Sequence, residues 1–417
     1  ILLIFIFLNN CSFNENSSFW TKEKIEKIEK VKKVKNIKNP PDKKCKDKLL
    51  IQRIENVFTK CKEKNEKKLN REEIFKKEEA LNLEFNPKLK ISLYTKPINK
   101  SFFNNYDNNN GRVNYDGELK SISRFKFSKI DNFYQYDPTI SFEGNNIIFF
   151  DNKGTIFKFN ENSKLIWKQN YYSRSDIKLK PILQFANNKK VLFVADNIAK
   201  YYALDIRTGE LLWKKNNTAP FNSQLKIYKD KLFIIDNKNI LSSYSIKNGN
   251  KIWEIKTENS LMRSQKKLSM VLMNKKIYFN NSLGDISSID INTGELLWQI
   301  PTQSSLVYDE GFFLKTSDII ADKDTLFFSN NKNEFFSIDA RTGTLNWKQK
   351  INSNLRSTLI DNYIFTVSSE GYLIIIDKIY GNIIRSTDIF KNFKDKKRKK
   401  IKPVGFIVGK NNIYLTT

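Results

Sequence analysis

Histidine is absent from the sequence. That absence removes Ser-His-Asp and Cys-His nucleophile arrangements, histidine general bases and histidine metal ligands in one step. Cysteine is scarce. Cys11, Cys45 and Cys61 form no CxxC pair, which argues against a zinc-thiolate or iron–sulfur site. No long apolar run occurs: Ile1 to Leu8 is an unbroken stretch of eight, against the roughly 20 residues that span a bilayer. Neither a metal, a cofactor nor a catalytic residue is expected.

What is abundant is basic charge. Lys plus Arg number 73 and Asp plus Glu 45, a formal charge of +28 among 417 residues. Residues 21–80 hold 21 basic and 12 acidic side chains, and KNFKDKKRKKIK (391–402) holds eight and one. No zinc finger, RNP motif or arginine-rich recognition helix accompanies this charge, so the blocks read as solvated loops or tails and no nucleic-acid partner is expected.

The opening ILLIFIFLNNCSF fits the apolar core of a secretory signal peptide that has lost its basic leader. Leu8-Asn9-Asn10-Cys11 resembles a lipobox, with Asn at both middle positions in place of small residues. Lipidation at Cys11 is the favoured reading, and a plain signal peptide with an incidental cysteine is the other. Residues 1–11 are thus assigned to a truncated lipoprotein signal peptide and 12–85 to a charged, partly helical tether. In the tether Ile25, Ile28, Val31, Val34 and Ile37 recur every three residues, so at 3.6 residues per turn their stripe winds around a helix without a lasting seam. Cys45 and Cys61 form either a disulfide or two free thiols.

From residue 86 onward β-branched and aromatic runs alternate with Asn, Asp and Gly turns. ALDIRTGELLWKK (203–215), SIDINTGELLWQI (288–300) and SIDARTGTLNWKQ (337–349) are near copies of one another. SYSIKNGNKIWEI (243–255) is weaker, and 157–169 and 375–387 are degenerate copies at the same phase. Trp167, Trp213, Trp253, Trp298 and Trp347 anchor the repeat, with Arg385 in the sixth place. Asp205, Asp290, Asp339 and Asp377 precede the anchor by eight residues and can bond the turn backbone ahead of them. Gly209, Gly249, Gly294, Gly343 and Gly381 precede it by four and supply the positive φ of a tight hairpin. Four short strands in each 40–50 residues make a β-propeller blade, with the Trp ring between blades. Six copies, a truncated one from Lys402 and another built from 89–98 and 121–130 predict an all-β, eight-bladed propeller over 86–417, incomplete at its C-terminal end.

The DxxTGxxxW repeat resembles the pyrroloquinoline-quinone-type propeller repeat. Together with the lipobox-like cysteine and the blade count, it resembles the outer-membrane protein assembly factor BamB family. The resemblance covers about 86–417 and leaves the tether out. It implies a non-enzymatic scaffold lipoprotein on the periplasmic face of the outer membrane. The implied partners are the POTRA domains of BamA, the rest of the β-barrel assembly complex and unfolded outer-membrane proteins. It also implies a docking loop with a Leu-x-Leu-Arg stretch. At that phase this chain reads ENSLMRSQKK, so Met262 and Arg263 match its last two positions while Ser260 replaces the first Leu. Asp309 and Glu310, in the next inter-blade loop, are out of register with the family's acidic residues, and no role is transferred to them. The alternative is a quinone-dependent dehydrogenase with the same repeat, which requires a calcium site, a catalytic aspartate and often adjacent cysteines.

Overall fold

A computed structural model describes residues 81–93, 109, 139–257, 267–302, 315–409 and 412–417. The architecture is an all-β propeller: among the described residues, six four-stranded antiparallel sheets and one two-stranded sheet follow one another along the chain. The six blades occupy 141–169, 183–216, 226–256, 270–300, 320–349 and 358–388, and the two-stranded sheet pairs Gly405–Val408 with Ile413–Thr416. Within every blade the strands pair in chain order, inner to outer.

The second strand of each blade explains why the sequence carries unbroken apolar runs. Successive side chains of a strand point to opposite faces, and here both faces are covered by neighbouring blades. Leu192 and Val194 join the cluster shared with blade 1, whereas Phe193 and Ala195 join the cluster shared with blade 3. Leu232 and Ile234 then face blade 2, while Phe233 and Ile235 face blade 4. The core is therefore a series of inter-blade slabs.

Blades 1 to 5 also carry a turn that the repeat motif does not include. Between the second and third strands, Asp151, Asp196, Asp236, Asn281 and Asn330 each accept backbone N–H bonds from residues two and four positions ahead. These Asx turns hold the second hairpin on the same face as the inter-blade connections.

The chain joins the propeller earlier than residue 86. Leu81 N–H donates to the Lys350 carbonyl, and Phe85 exchanges both backbone hydrogen bonds with Ser386 on the outer strand of blade 6. The Tyr372 hydroxyl donates to the Asn82 carbonyl. An outer strand presents unpaired N–H and C=O groups along its free edge, and this short strap satisfies part of that edge in blade 6. Residues 89–93 form no strand, although Ile91 and Leu93 pack against the cluster of Ile360, Phe365, Ile375 and Val408. The remainder of the expected further blade, 94–98 and 121–130, lies outside the described residues.

Candidate functional site

The repeat residues form one latch, used at successive seams. The outer-strand Trp of one blade lies across the glycine turn of the next. A Cβ built on Gly209 would stand 2.8 Å from the Trp167 ring; on Gly249, 2.6 Å from Trp213; on Gly294, 2.7 Å from Trp253. Gly343 and Gly381 meet Trp298 and Trp347 in the same way, at 3.0 and 2.5 Å. All five glycines have φ between 71° and 79°, so two independent requirements, a left-handed backbone and a bare ring-facing surface, fall on one residue. The indole Nε1 of Trp167, Trp213, Trp298 and Trp347 donates to the carbonyl of Ile206, Ile246, Ala340 and Lys378 at 3.1–3.2 Å. Trp253 Nε1 makes no such bond. Trp167 is buried and the other four rings are half-buried, so the latch sits toward the rim of the slab.

The carboxylates build the turn that the ring covers. Asp205 Oδ1 accepts from the N–H of Arg207 and Thr208. Asp290, Asp339 and Asp377 repeat this with the residues two and three ahead of them. Those N–H donors hold the carboxyls of Asp205 and Asp290 below the usual range. In blade 1 the turn is made by Asn160 with Ser163 at φ 62°, and in blade 3 Ser245 stands in the Asp position.

The connections between blades run from an outer strand to the next inner strand. Met262 and Arg263 lie in one of them and Asp309 and Glu310 in the next; these four, with Cys11, Cys45 and Cys61, are outside the described residues. The bases of both loops are described, and they bracket blade 4. Thr257 bonds the Asn239 carbonyl through N–H and Oγ1, and Leu268 N–H donates to the Asn222 carbonyl. Thr302 Oγ1 donates to the Gly284 carbonyl, and Asn280 Nδ2 donates to Thr316 Oγ1 at 2.6 Å. Between them Asn239 Oδ1 accepts from Ser282 N–H and Oγ, tying the second hairpins of blades 3 and 4 together. The two loops therefore spring from one cross-braced platform.

Two polar clusters were not legible from the motif. Near the first connection, the Tyr172 hydroxyl donates to buried Asp196 at 2.5 Å, and Lys200 pairs with Asp176 of helix α1 (Arg174–Lys178). Burial raises the Asp196 carboxyl, while the Lys200 ammonium brings Asp176 down to about 2. Asp196 spends its oxygens on the tyrosine and on two backbone N–H groups, so its role is to hold the turn and the connection. The second cluster lies where the inner strands converge. Gln224 of blade 3 accepts from Met270 N–H of blade 4 and donates to Asp318, at the start of blade 5, at 2.9 Å. Beside them burial pushes the Lys226 ammonium down to about 7, with Arg356 adding to the shift and Asp318 opposing it. Among the described residues, no group of three or more Cys, Asp or Glu side chains is placed to hold a metal ion.

Residues 152–387, which contain every latch, match the protein family described as outer membrane protein assembly factor BamB. No curated protein matches the chain in sequence. Among solved structures, BamB from Moraxella catarrhalis is similar, at 15% identity and a TM-score of 0.50, over 60% of this chain and 75% of that one. A europium-containing methanol dehydrogenase is similar at 12% identity and a TM-score of 0.39, over 49% of this chain and 50% of that one. The quinohemoprotein alcohol dehydrogenase from Comamonas testosteroni follows at 14% and 0.39, over 49% and 42%.

Proposed function

Since the chain belongs to the outer membrane protein assembly factor BamB family, we propose that it is a non-enzymatic scaffold of the outer-membrane β-barrel assembly machinery. In this reading it is anchored through a lipid on Cys11 at the periplasmic face and docks on the POTRA domains of BamA. The observation that carries the reading is the family match over 152–387, the stretch in which the Trp–Gly latches recur.

The geometry supports a scaffold in two ways. First, the loop bases around blade 4 are braced by side-chain bonds from Asn239, Thr257, Asn280 and Thr302, so two inter-blade loops rise from a fixed base. A rigid base reduces the ordering cost of binding and suits a docking surface. Met262 and Arg263 are the proposed anchors there, a flexible thioether next to a guanidinium. Secondly, the outer strands begin with exposed apolar pairs such as Leu211–Leu212 and Leu296–Leu297, beside an edge that an extended, unfolded barrel strand can meet.

The test is recovery of the assembly core from solubilised outer membranes by the parent and by Met262→Glu/Arg263→Glu. Capture by the parent and its loss in the variant establish both partner and loop. Equal capture retains the partner and rejects the loop. Failure of both, with folded protein, rejects the scaffold reading.

A further inference from the structure

The densest unneutralised charge in the described structure is the connection after blade 6. Its lysines Lys394, Lys396, Lys397, Lys399, Lys400 and Lys402 are exposed, and none makes a salt bridge among the described residues. Elsewhere on the ring, lysines are interleaved with acids, as in Lys251–Glu254, Lys348–Glu334 and Lys378–Asp322.

This connection is fixed in place. Phe390 packs its ring over Gly371, whose φ is 89° and where an added Cβ would collide with the Phe390 ring. Lys391 pairs with Glu84 of the strap at 2.9 Å, and Arg398 of helix α2 (Asp395–Arg398) pairs with Asp388 at 2.5 Å. Arg398 and Lys391 are thus committed to the ring, and the six lysines are left to solvent. Exposed apolar side chains lie among them: Phe393, with Lys397 Nζ 4.4 Å from its ring centroid, and Val404.

We propose that residues 391–404 form a docking site for an anionic phospholipid surface. Lysine ammonium groups around an exposed aromatic and an aliphatic side chain match an interface of headgroup phosphates above acyl chains. The segment's one guanidinium is held by Asp388, so the planar fork that reads nucleic acid is not on offer. The inference rests on this patch alone and stands or falls independently of the docking on BamA.

The test is co-sedimentation of the full chain carrying Cys11→Ser, which removes any acyl anchor. The vesicles are phosphatidylcholine alone, or phosphatidylcholine mixed with phosphatidylglycerol. The parent is expected to bind the mixed vesicles, to ignore the neutral ones, and to release as salt rises. Lys394→Ala/Lys396→Ala/Lys397→Ala/Lys399→Ala is expected to weaken binding about 10²- to 10³-fold, from about 1 kcal/mol per lysine at an anionic surface. The control Lys189→Ala/Lys190→Ala/Lys215→Ala/Lys275→Ala removes the same charge elsewhere and is expected to bind nearly as the parent does. Equal loss in both variants overturns the proposal, because net charge alone would then explain binding. Equal binding to neutral vesicles, or no vesicle binding beside tight binding to a nucleic-acid fragment, also overturns it.

Discussion

Blades 5 and 6 carry the same repeat at the same phase and fasten their outer strands differently. Trp347 of blade 5 lies over Gly381 and donates to the Lys378 carbonyl, so it closes a seam with the blade that follows. In blade 6 the position belongs to Arg385. Its Nε donates to Thr387 Oγ1, and its Nη1 donates to the Leu89 carbonyl of the strap. The sheet after blade 6 has two described strands, Gly405–Val408 and Ile413–Thr416. In each of the five latches a flat ring lies over a bare glycine turn. Where the neighbour is a backbone segment, a long side chain with several donors serves better.

The comparison can be broken at its strongest point first. Trp167→Ala removes a buried ring and its bond to Ile206, and is expected to cost about 4 kcal/mol in urea unfolding. A variant as stable as the parent would mean that the latch is decorative. Gly381→Ala is expected to cost about 2–3 kcal/mol, because the new Cβ meets Trp347 in a backbone region that disfavours it. The same loss in a Trp347→Ala background would show that backbone strain, without the ring, accounts for the glycine. Trp298→Phe, which strands the Ala340 carbonyl, is expected to lose about 1 kcal/mol more than Trp253→Phe, whose indole N–H has no partner to lose. Arg385→Ala is expected to have the smallest effect, under about 1 kcal/mol globally. Its signature is local: faster hydrogen exchange at Phe85 and Ser386, the backbone pair held beside it. Arg385→Trp is expected not to restore that protection.

Much of the propeller could be read from the chain because the latch is encoded in a short stretch. Turn carboxylate, glycine and ring fall within nine residues, as in Asp290, Gly294 and Trp298, so they repeat visibly. The second Asx turn was equally local and carried its own signal, an Asp or Asn followed by Asn, as in Asp151-Asn152 and Asn330-Asn331. Other features left no local trace. Phe85 pairs with a residue 301 positions away, and nothing near it alternates or repeats. Lys226 reads as one more lysine in a lysine-rich chain, and only convergence of the inner strands places it beside Arg356 and Asp318. The proposed docking pair Met262–Arg263 was reached through resemblance to a family, since a loop's recognition chemistry imposes no periodicity.

The latch also makes the protein its own spectroscopic gauge. Five of its six tryptophans sit on seams between blades. Intrinsic fluorescence therefore reports almost entirely on how tightly neighbouring blades are closed, with the buried Trp167 contributing the bluest component. Replacing Trp20 and four of the five by phenylalanine would leave a single tryptophan on a chosen seam. A partner that spread or compressed the ring would then register as a colour change assigned to one pair of blades.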